Sequence, residues 1–180
     1  MRRANVMLFA LLVASGLHAQ PRFGVSEADY ALAQLWLSTN CLAPEAQSLL
    51  DRLVARRAAM QQAFTRALAE GPTADEVAVV RAAAAARWRA QREFADRPEI
   101  RDAVPAEQLA SLRNQSEEAV VRSEVDNFVN GYKSNAMAGL AVVGDDAALR
   151  QLRELAARGE SPEAVAARGA LAYRESLPVR

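Results

Sequence analysis

The spacing of apolar residues along the chain predicts a protein built entirely of helices. In residues 45–70, apolar side chains recur at steps of three and four, which is the period of a helix with one buried face. Residues 75–96 are rich in alanine and follow the same period. No segment alternates apolar and polar residues as a half-buried strand does. The pattern therefore predicts an all-α fold with six to eight helices.

Capping residues mark where several of these helices begin. Ser26 precedes the first apolar stripe and has an acid three residues later. Thr73 has the same relation to Glu76, which is the signature of a capping box. Gly71 lies just before this box and ends the preceding helix. These signals predict helices that start near residues 27 and 74.

The middle of the chain contains three expected interruptions. Residues 97–104 include a proline and are expected to form a connector, after which Pro105 starts another helix. The polar residues 113–116 indicate a kink or break in that helix. Gly131 is then expected to separate it from the C-terminal region, residues 132–180.

The C-terminal region shows two helix boundaries of the same kind. Gly144 is expected to end a helix, because glycine adopts the left-handed conformation without steric cost. Asp145 or Asp146 then caps the next helix by accepting a hydrogen bond from an unpaired backbone N–H. Ser161 and Pro162 repeat this arrangement, since proline is well tolerated at the first helical position.

Small and apolar residues recur across this region with a displacement of 31 residues (136 to 167). The first copy and its counterpart are Ala136, Gly139 and Leu140, and Ala167, Ala170 and Leu171. A small residue on each turn lets helices approach closely, and a repeated helix–turn–helix unit favours a stacked solenoid.

On these residues and the turn after Gly144, the stretch 135–171 resembles a short HEAT-like, armadillo-type helical repeat. The resemblance implies a helical bundle or short α-solenoid of antiparallel helix pairs, a surface that binds other proteins, and no shared catalytic residues. Solenoids need about three repeats to bury a continuous core. The helices in residues 26–130 are therefore expected to supply the missing packing surface within a single domain, residues 20–180.

The first 19 residues have the layout of a secretory signal peptide. Arg2 and Arg3 precede an apolar run at residues 6–14, and small or neutral residues follow it. The run is far shorter than the roughly 20 apolar residues that a membrane-spanning helix needs. We expect cleavage after Ala19, export to the periplasm or beyond, and no stable membrane insertion afterwards.

Charge gives no indication of a nucleic-acid partner. The chain has 22 basic and 22 acidic residues, and loss of Arg2 and Arg3 with the leader leaves a net charge near −2. Nucleic-acid binding requires a clustered basic surface.

The chain lacks most residues that carry enzyme chemistry. Its only histidine, His18, lies in the predicted leader, and Cys41 is its only cysteine. This excludes histidine-dependent triads in the exported chain, thiolate metal sites and an intrachain disulfide. Cys41 is expected to be a buried small apolar residue, or alternatively to form an intermolecular disulfide. We expect no cofactor, no metal and no enzymatic activity.

Two adjacent acidic pairs, residues 117–118 and 145–146, are the remaining catalytic candidates. Neighbouring side chains on a helix point about 100° apart, so neither pair forms a catalytic dyad by itself. A carboxylate-dependent hydrolase is therefore the least favoured function.

One polar cluster is a candidate partner-binding site. Tyr132, Lys133 and Asn135 stand together with Ser134 at an expected helix start, and Lys133 is the only lysine. In the alternative interpretation Ser134 caps the helix, Tyr132 packs inward and Lys133 is solvated. The sequence thus predicts an exported, non-catalytic helical scaffold that binds a protein partner, or alternatively a periplasmic chaperone-like protein.

Overall fold

The computed structural model describes residues 22–38 and 46–177, and within these ranges the fold is all-α, as predicted. A short 3-10 turn at Arg22–Gly24 comes first, and no strand occurs in the described part. Nine α-helices follow: α1 (Glu27–Leu37), α2 (Ala46–Ala55), α3 (Arg57–Glu70), α4 (Ala74–Ala95), α5 (Pro98–Ala103), α6 (Ala106–Asn114), α7 (Glu117–Val143), α8 (Asp146–Ala156) and α9 (Pro162–Ser176).

The prediction of six to eight helices was too low, for two local reasons. Residues 45–70 were predicted as one helix, but the helix breaks at Arg56, whose backbone N–H donates to the Leu53 carbonyl three residues back. The Arg56 guanidinium also pairs with Asp29 at 2.8 Å. The predicted connector at residues 97–104 contains α5, since Pro98 stands at its first turn, where the missing N–H does no harm.

The described residues form two compact units. Unit 1 combines the chain up to Glu70 with the chain from Tyr132 onward, and unit 2 consists of Gly71–Gly131. Unit 1 therefore contains α1–α3, the second half of α7, and α8 and α9. Unit 2 contains α4–α6 and the first half of α7.

Unit 1 has a core of large apolar side chains. Gly139 of α7 lies against α3, and a Cβ added there would meet the Phe64 ring at 2.5 Å. The absence of a side chain at Gly139 thus permits this close approach. All of the largest fully buried side chains of the described residues belong to unit 1: Leu37, Leu53, Met60, Phe64, Met137, Leu140, Val143 and Leu152.

Unit 2 buries little. Among its described residues, the buried apolar side chains are Ala84, Ala95, Leu109 and Val121. Polar contacts at its surface join its helices: the Trp88 indole N–H donates to the Gln115 carbonyl at 3.1 Å. Most of the α4 surface is therefore at least partly accessible to solvent.

Four of the predicted helix caps are confirmed. Side chains of Ser26, Thr73, Asp145 and Ser161 each accept a hydrogen bond from a backbone N–H in the first turn of the following helix. At Thr73 the reciprocal bond from its backbone N–H to the Glu76 carboxylate completes the capping box.

Gly144 ends α7 as predicted, but the predicted left-handed conformation is wrong. Positive φ angles occur at Gly24, Gly71 and Gly159 among the described glycines, and not at Gly144. A Cβ at Gly144 would instead collide with the Leu140 carbonyl oxygen. Glycine is thus required here because the space is filled by its own helix.

Two carboxylates at helix starts in unit 1 are stabilised in their charged form: Asp29 in the first turn of α1 and Asp145, the cap of α8. The Ser26 hydroxyl and then the Arg56 guanidinium lower the pKa of Asp29 from its usual value of 3.8. The Ala148 backbone N–H and then the Gln61 side chain lower the pKa of Asp145 in the same way. Hydrogen bonds that favour the charged form are the larger cause in both cases.

In the described part of the chain, none of the helices combines the length and the apolar character needed to cross a membrane.

Candidate functional site

The predicted site residues Tyr132, Lys133 and Asn135 lie inside α7 and not at a helix start. The expected separation at Gly131 is wrong, because α7 continues through this glycine with ordinary helical geometry. A glycine inside a helix costs only about 1 kcal/mol relative to alanine, which neighbouring packing can offset. Ser134 is likewise within α7 and caps no helix.

The structure uses two of these residues to join α7 to α1. Tyr132 is only 2% exposed, and its hydroxyl accepts a hydrogen bond from the Gln34 side chain at 3.4 Å. The Asn135 side-chain amide donates to the Leu37 carbonyl at 2.9 Å, and the Asn135 carbonyl accepts from the Trp36 indole at 2.7 Å. Asn135 therefore satisfies polar groups at the end of α1.

Lys133 is half-buried, which leaves part of its side chain accessible. A role for the three residues in partner binding stays a prediction. Asn135 is half-buried as well, whereas Tyr132 is enclosed, so Lys133 and Asn135 are the predicted site residues that a partner can reach.

A groove in unit 2 is a concave feature of the described residues. It lies between α4 and the first half of α7 and has a volume of about 740 Å³. Small and β-branched side chains form its apolar lining: Ala78, Ala82 and Ala85 from α4, and Val121 and Val125 from α7. The three alanines are spaced four and three residues apart, so they share one face of α4.

Ion pairs link the two walls of the groove. Arg89 of α4 pairs with Glu117 of α7 at 2.8 Å, and Arg87 pairs with Glu124 at 3.3 Å. Pairs of this kind at an exposed surface contribute at most about 1 kcal/mol each. They therefore contribute little to the stability of the unit.

The adjacent acids Glu117 and Glu118 have separate partners, and both line the groove. Glu117 is bound to Arg89, while Glu118 pairs with Arg122 of its own helix at 2.5 Å. The other acidic pair also divides: Asp145 caps α8, and Asp146 is its first residue. In neither pair do the two carboxylates bind the same group.

Two charged groups in the groove remain unpaired. Arg81 lies on the α4 wall and Asp126 on the α7 wall, and both are exposed. Neither of them forms an ion pair or a hydrogen bond with any residue that the structure describes. The groove therefore presents one unpaired positive charge and one unpaired negative charge on opposite walls.

The sequence contains a signal for this groove, but the signal is weak. The alanine spacing at residues 78, 82 and 85 was visible, and helix α4 carries more basic than acidic residues after its first turn. Nothing in the sequence pairs α4 with residues 117–126. That pairing depends on tertiary contacts between segments far apart in the chain.

Residues 22–38 and 46–177 contain no cluster of three or more histidine, cysteine or acidic side chains arranged to hold a metal ion. The predicted leader, which contains His18, lies outside the described residues, and so does Cys41. The roles predicted for them therefore stay predictions.

Comparison of the chain with protein-family models, with curated proteins and with solved structures gave no match.

Proposed function

We propose that this chain is an exported, non-catalytic helical protein that binds a protein partner in the groove between α4 and α7. The observation that carries the proposal is the groove itself: a cleft of about 740 Å³ with an apolar floor, in a unit that buries few of its own side chains. A partner that covers this surface would bury apolar area that unit 2 leaves exposed.

The lining favours a helix as the bound element. Alanines on one face of α4 keep that wall low, and an amphipathic helix binds such a groove with apolar residues at helical spacing. Packed helices lie about 8–10 Å apart, and small side chains at the contact favour the short end of this range.

Substitution in the groove tests the proposal. Ala82→Arg places a long charged side chain in the groove, whereas Ala90→Arg makes the same change at an exposed position of α4 outside it. We expect the wild type and Ala90→Arg to retain a cross-linked partner from periplasmic extract, and Ala82→Arg to lose it. Failure to recover any partner, together with a monomer by light scattering, would contradict the proposal.

Export is the second part of the proposal, and it is based on the leader-like layout of residues 1–19. N-terminal sequencing of the protein recovered outside the cytoplasm is expected to begin at Gln20. An exported form that begins at Met1 would refute cleavage.

We also propose that α7, α8 and α9 stack as HEAT-like helices with antiparallel pairing. Ala136 and Ala167, the residues related by the 31-residue displacement, are both fully buried. The Arg174 guanidinium of α9 donates to the Ala141 carbonyl of α7 at 2.6 Å, which brings these two helices together. An experimental structure in which α7 and α9 do not run side by side in the same direction would exclude the repeat.

Exposed apolar side chains favour a chaperone-like function as the second candidate. Val79 is 42% exposed and Phe94 is 49% exposed, both on α4. Such groups can hold the apolar segments of unfolded proteins. This function predicts that aggregation of an unfolded client is suppressed at a near-stoichiometric ratio, and the absence of suppression would exclude it.

A further inference from the structure

We propose that the partner is a second copy of this chain. The α4–α7 grooves of the two copies face each other in a dimer with two-fold symmetry. The inference rests on the proposed function, because it requires the α4–α7 groove to be a binding surface. It goes further because it infers the identity of the partner from the charged side chains on the two walls of the groove.

The unpaired charges are the first step. Of the charged side chains that line the groove, Glu117, Glu118 and Arg122 already have ion-pair partners within unit 2. Arg81 and Asp126 have none among the described residues. A partner that places an acid opposite Arg81 and a base opposite Asp126 would therefore pair both charges.

A second copy supplies both charges without any further assumption. In a face-to-face dimer whose two-fold axis runs along the groove, α4 of each copy lies over α7 of the other. Arg81 of each copy then meets Asp126 of its partner, so the interface contains the same ion pair twice. A contact of this kind is isologous, which is the usual arrangement in symmetric dimers.

The apolar lining is also consistent with self-association. The low alanine wall of α4 meets the valine-bearing wall of α7 when two copies face each other, so small side chains oppose larger ones. A two-fold axis across the groove would instead place alanine against alanine and leave a gap. Charge and shape therefore select the same axis.

Charge reversal provides the test. Arg81→Asp gives a copy with two acids at these positions, and Asp126→Arg gives a copy with two bases. Each variant alone would place like charges opposite each other twice, and we expect its dimer to be weaker by about tenfold or more. Sedimentation equilibrium of the purified protein over a concentration series measures this change.

Mixing the two variants is the decisive experiment. An Arg81→Asp copy and an Asp126→Arg copy are complementary at both contacts, so the equimolar mixture is expected to regain wild-type dimer affinity. The double variant Arg81→Asp with Asp126→Arg is expected to regain it as well. Arg101→Asp, an exposed change of the same charge on α5, serves as the control and should leave the dimer intact.

The outcomes separate this inference from the proposed function. A wild-type monomer at all concentrations, or a mixture that remains monomeric, overturns the two-fold dimer. If such a monomer still captures a different protein and loses it in Ala82→Arg, the groove remains a binding site with another occupant. If Ala82→Arg changes neither association nor capture, both proposals fail.

Discussion

Units 1 and 2 are both built from helices, but they are stabilised in different ways. Helices α3 and α7 bring large side chains such as Phe64, Met137 and Leu140 into the interior of unit 1. Helix α4 of unit 2 is longer than α3 and buries only alanines. The difference shows that helix propensity alone does not provide a core, because alanine favours the helix but buries little area.

The polar contacts differ in the same direction. In unit 1 the Trp36 indole and the Asn135 amide make hydrogen bonds in a part-buried region, between segments about 99 residues apart. In unit 2 the prominent polar contacts are surface ion pairs, which contribute little. We therefore expect unit 1 to be the more stable unit, and unit 2 to gain stability from a partner.

The largest expected difference between the units comes from replacing one phenylalanine in each unit with alanine. Phe64 is fully buried in unit 1, and Phe94 is 49% exposed in unit 2. Phe64→Ala is expected to lower the free energy of unfolding by about 3–5 kcal/mol, since it leaves a cavity. Phe94→Ala is expected to change it by less than about 0.5 kcal/mol.

Urea denaturation followed by far-UV circular dichroism measures both values. Helix content before denaturation controls for misfolding of either variant. Equal losses for the two phenylalanines would contradict the contrast between the units.

Two glycines of α7 are expected to respond with opposite signs to alanine. At Gly139 an added Cβ meets the Phe64 ring, so Gly139→Ala overpacks unit 1 and is expected to cost about 1–3 kcal/mol. At Gly131 an added Cβ meets nothing within 4 Å, and alanine is expected to stabilise the helix by about 0.5–1 kcal/mol. Thermal unfolding of the pair checks both signs, and destabilisation by Gly131→Ala would be evidence against a continuous α7.

A smaller effect is expected at the start of unit 2. Thr73→Ala removes both hydrogen bonds that the Thr73 side chain forms with Glu76, and it is expected to cost about 1 kcal/mol. The loss should appear as faster hydrogen exchange of amides in the first turns of α4. Thr65→Ala, an exposed change inside α3, is the matched control and should leave exchange in unit 1 unchanged.

The smallest expected effect is acid sensitivity in unit 1. The pKa values of Asp29 and Asp145 are lower in the folded chain than the usual 3.8, so the unfolded chain binds more protons in acid. The stability that both groups contribute is present above pH 3.8 and is lost as the pH falls through their folded pKa values. The free energy of unfolding, measured at about ten pH values between pH 6 and pH 2, should show this decline.

The variant Asp29→Asn with Asp145→Asn tests the source of that decline. Asparagine carries no charge, and at position 145 it still caps α8, so the acid-dependent part should shrink while helix content is preserved. An unchanged pH profile would assign the decline to other carboxyls.

Features that depend on neighbouring residues were predictable from the sequence. The caps at Thr73, Asp145 and Ser161 form within three residues of the chain, so spacing alone was sufficient to identify them. The all-α fold was predictable for the same reason, because helical period is a local property.

Features that depend on distant segments were not predictable. Gly131 resembles a helix end locally, yet α7 continues through it. Tyr132 and Asn135 were predicted as partner-binding residues from their polar side chains. In the structure, these side chains make hydrogen bonds to α1. The groove requires α4 beside residues 117–126, a relation that no single stretch of sequence contains.

Unit 1 is discontinuous in the chain, and this has a kinetic consequence. Trp36 can reach the Asn135 carbonyl only after the whole of unit 2 has been synthesised, whereas α4, α5 and α6 follow one another directly. Contacts between nearby residues form faster than those that close a long loop. We therefore expect the less buried unit to fold first and the better packed unit to fold later.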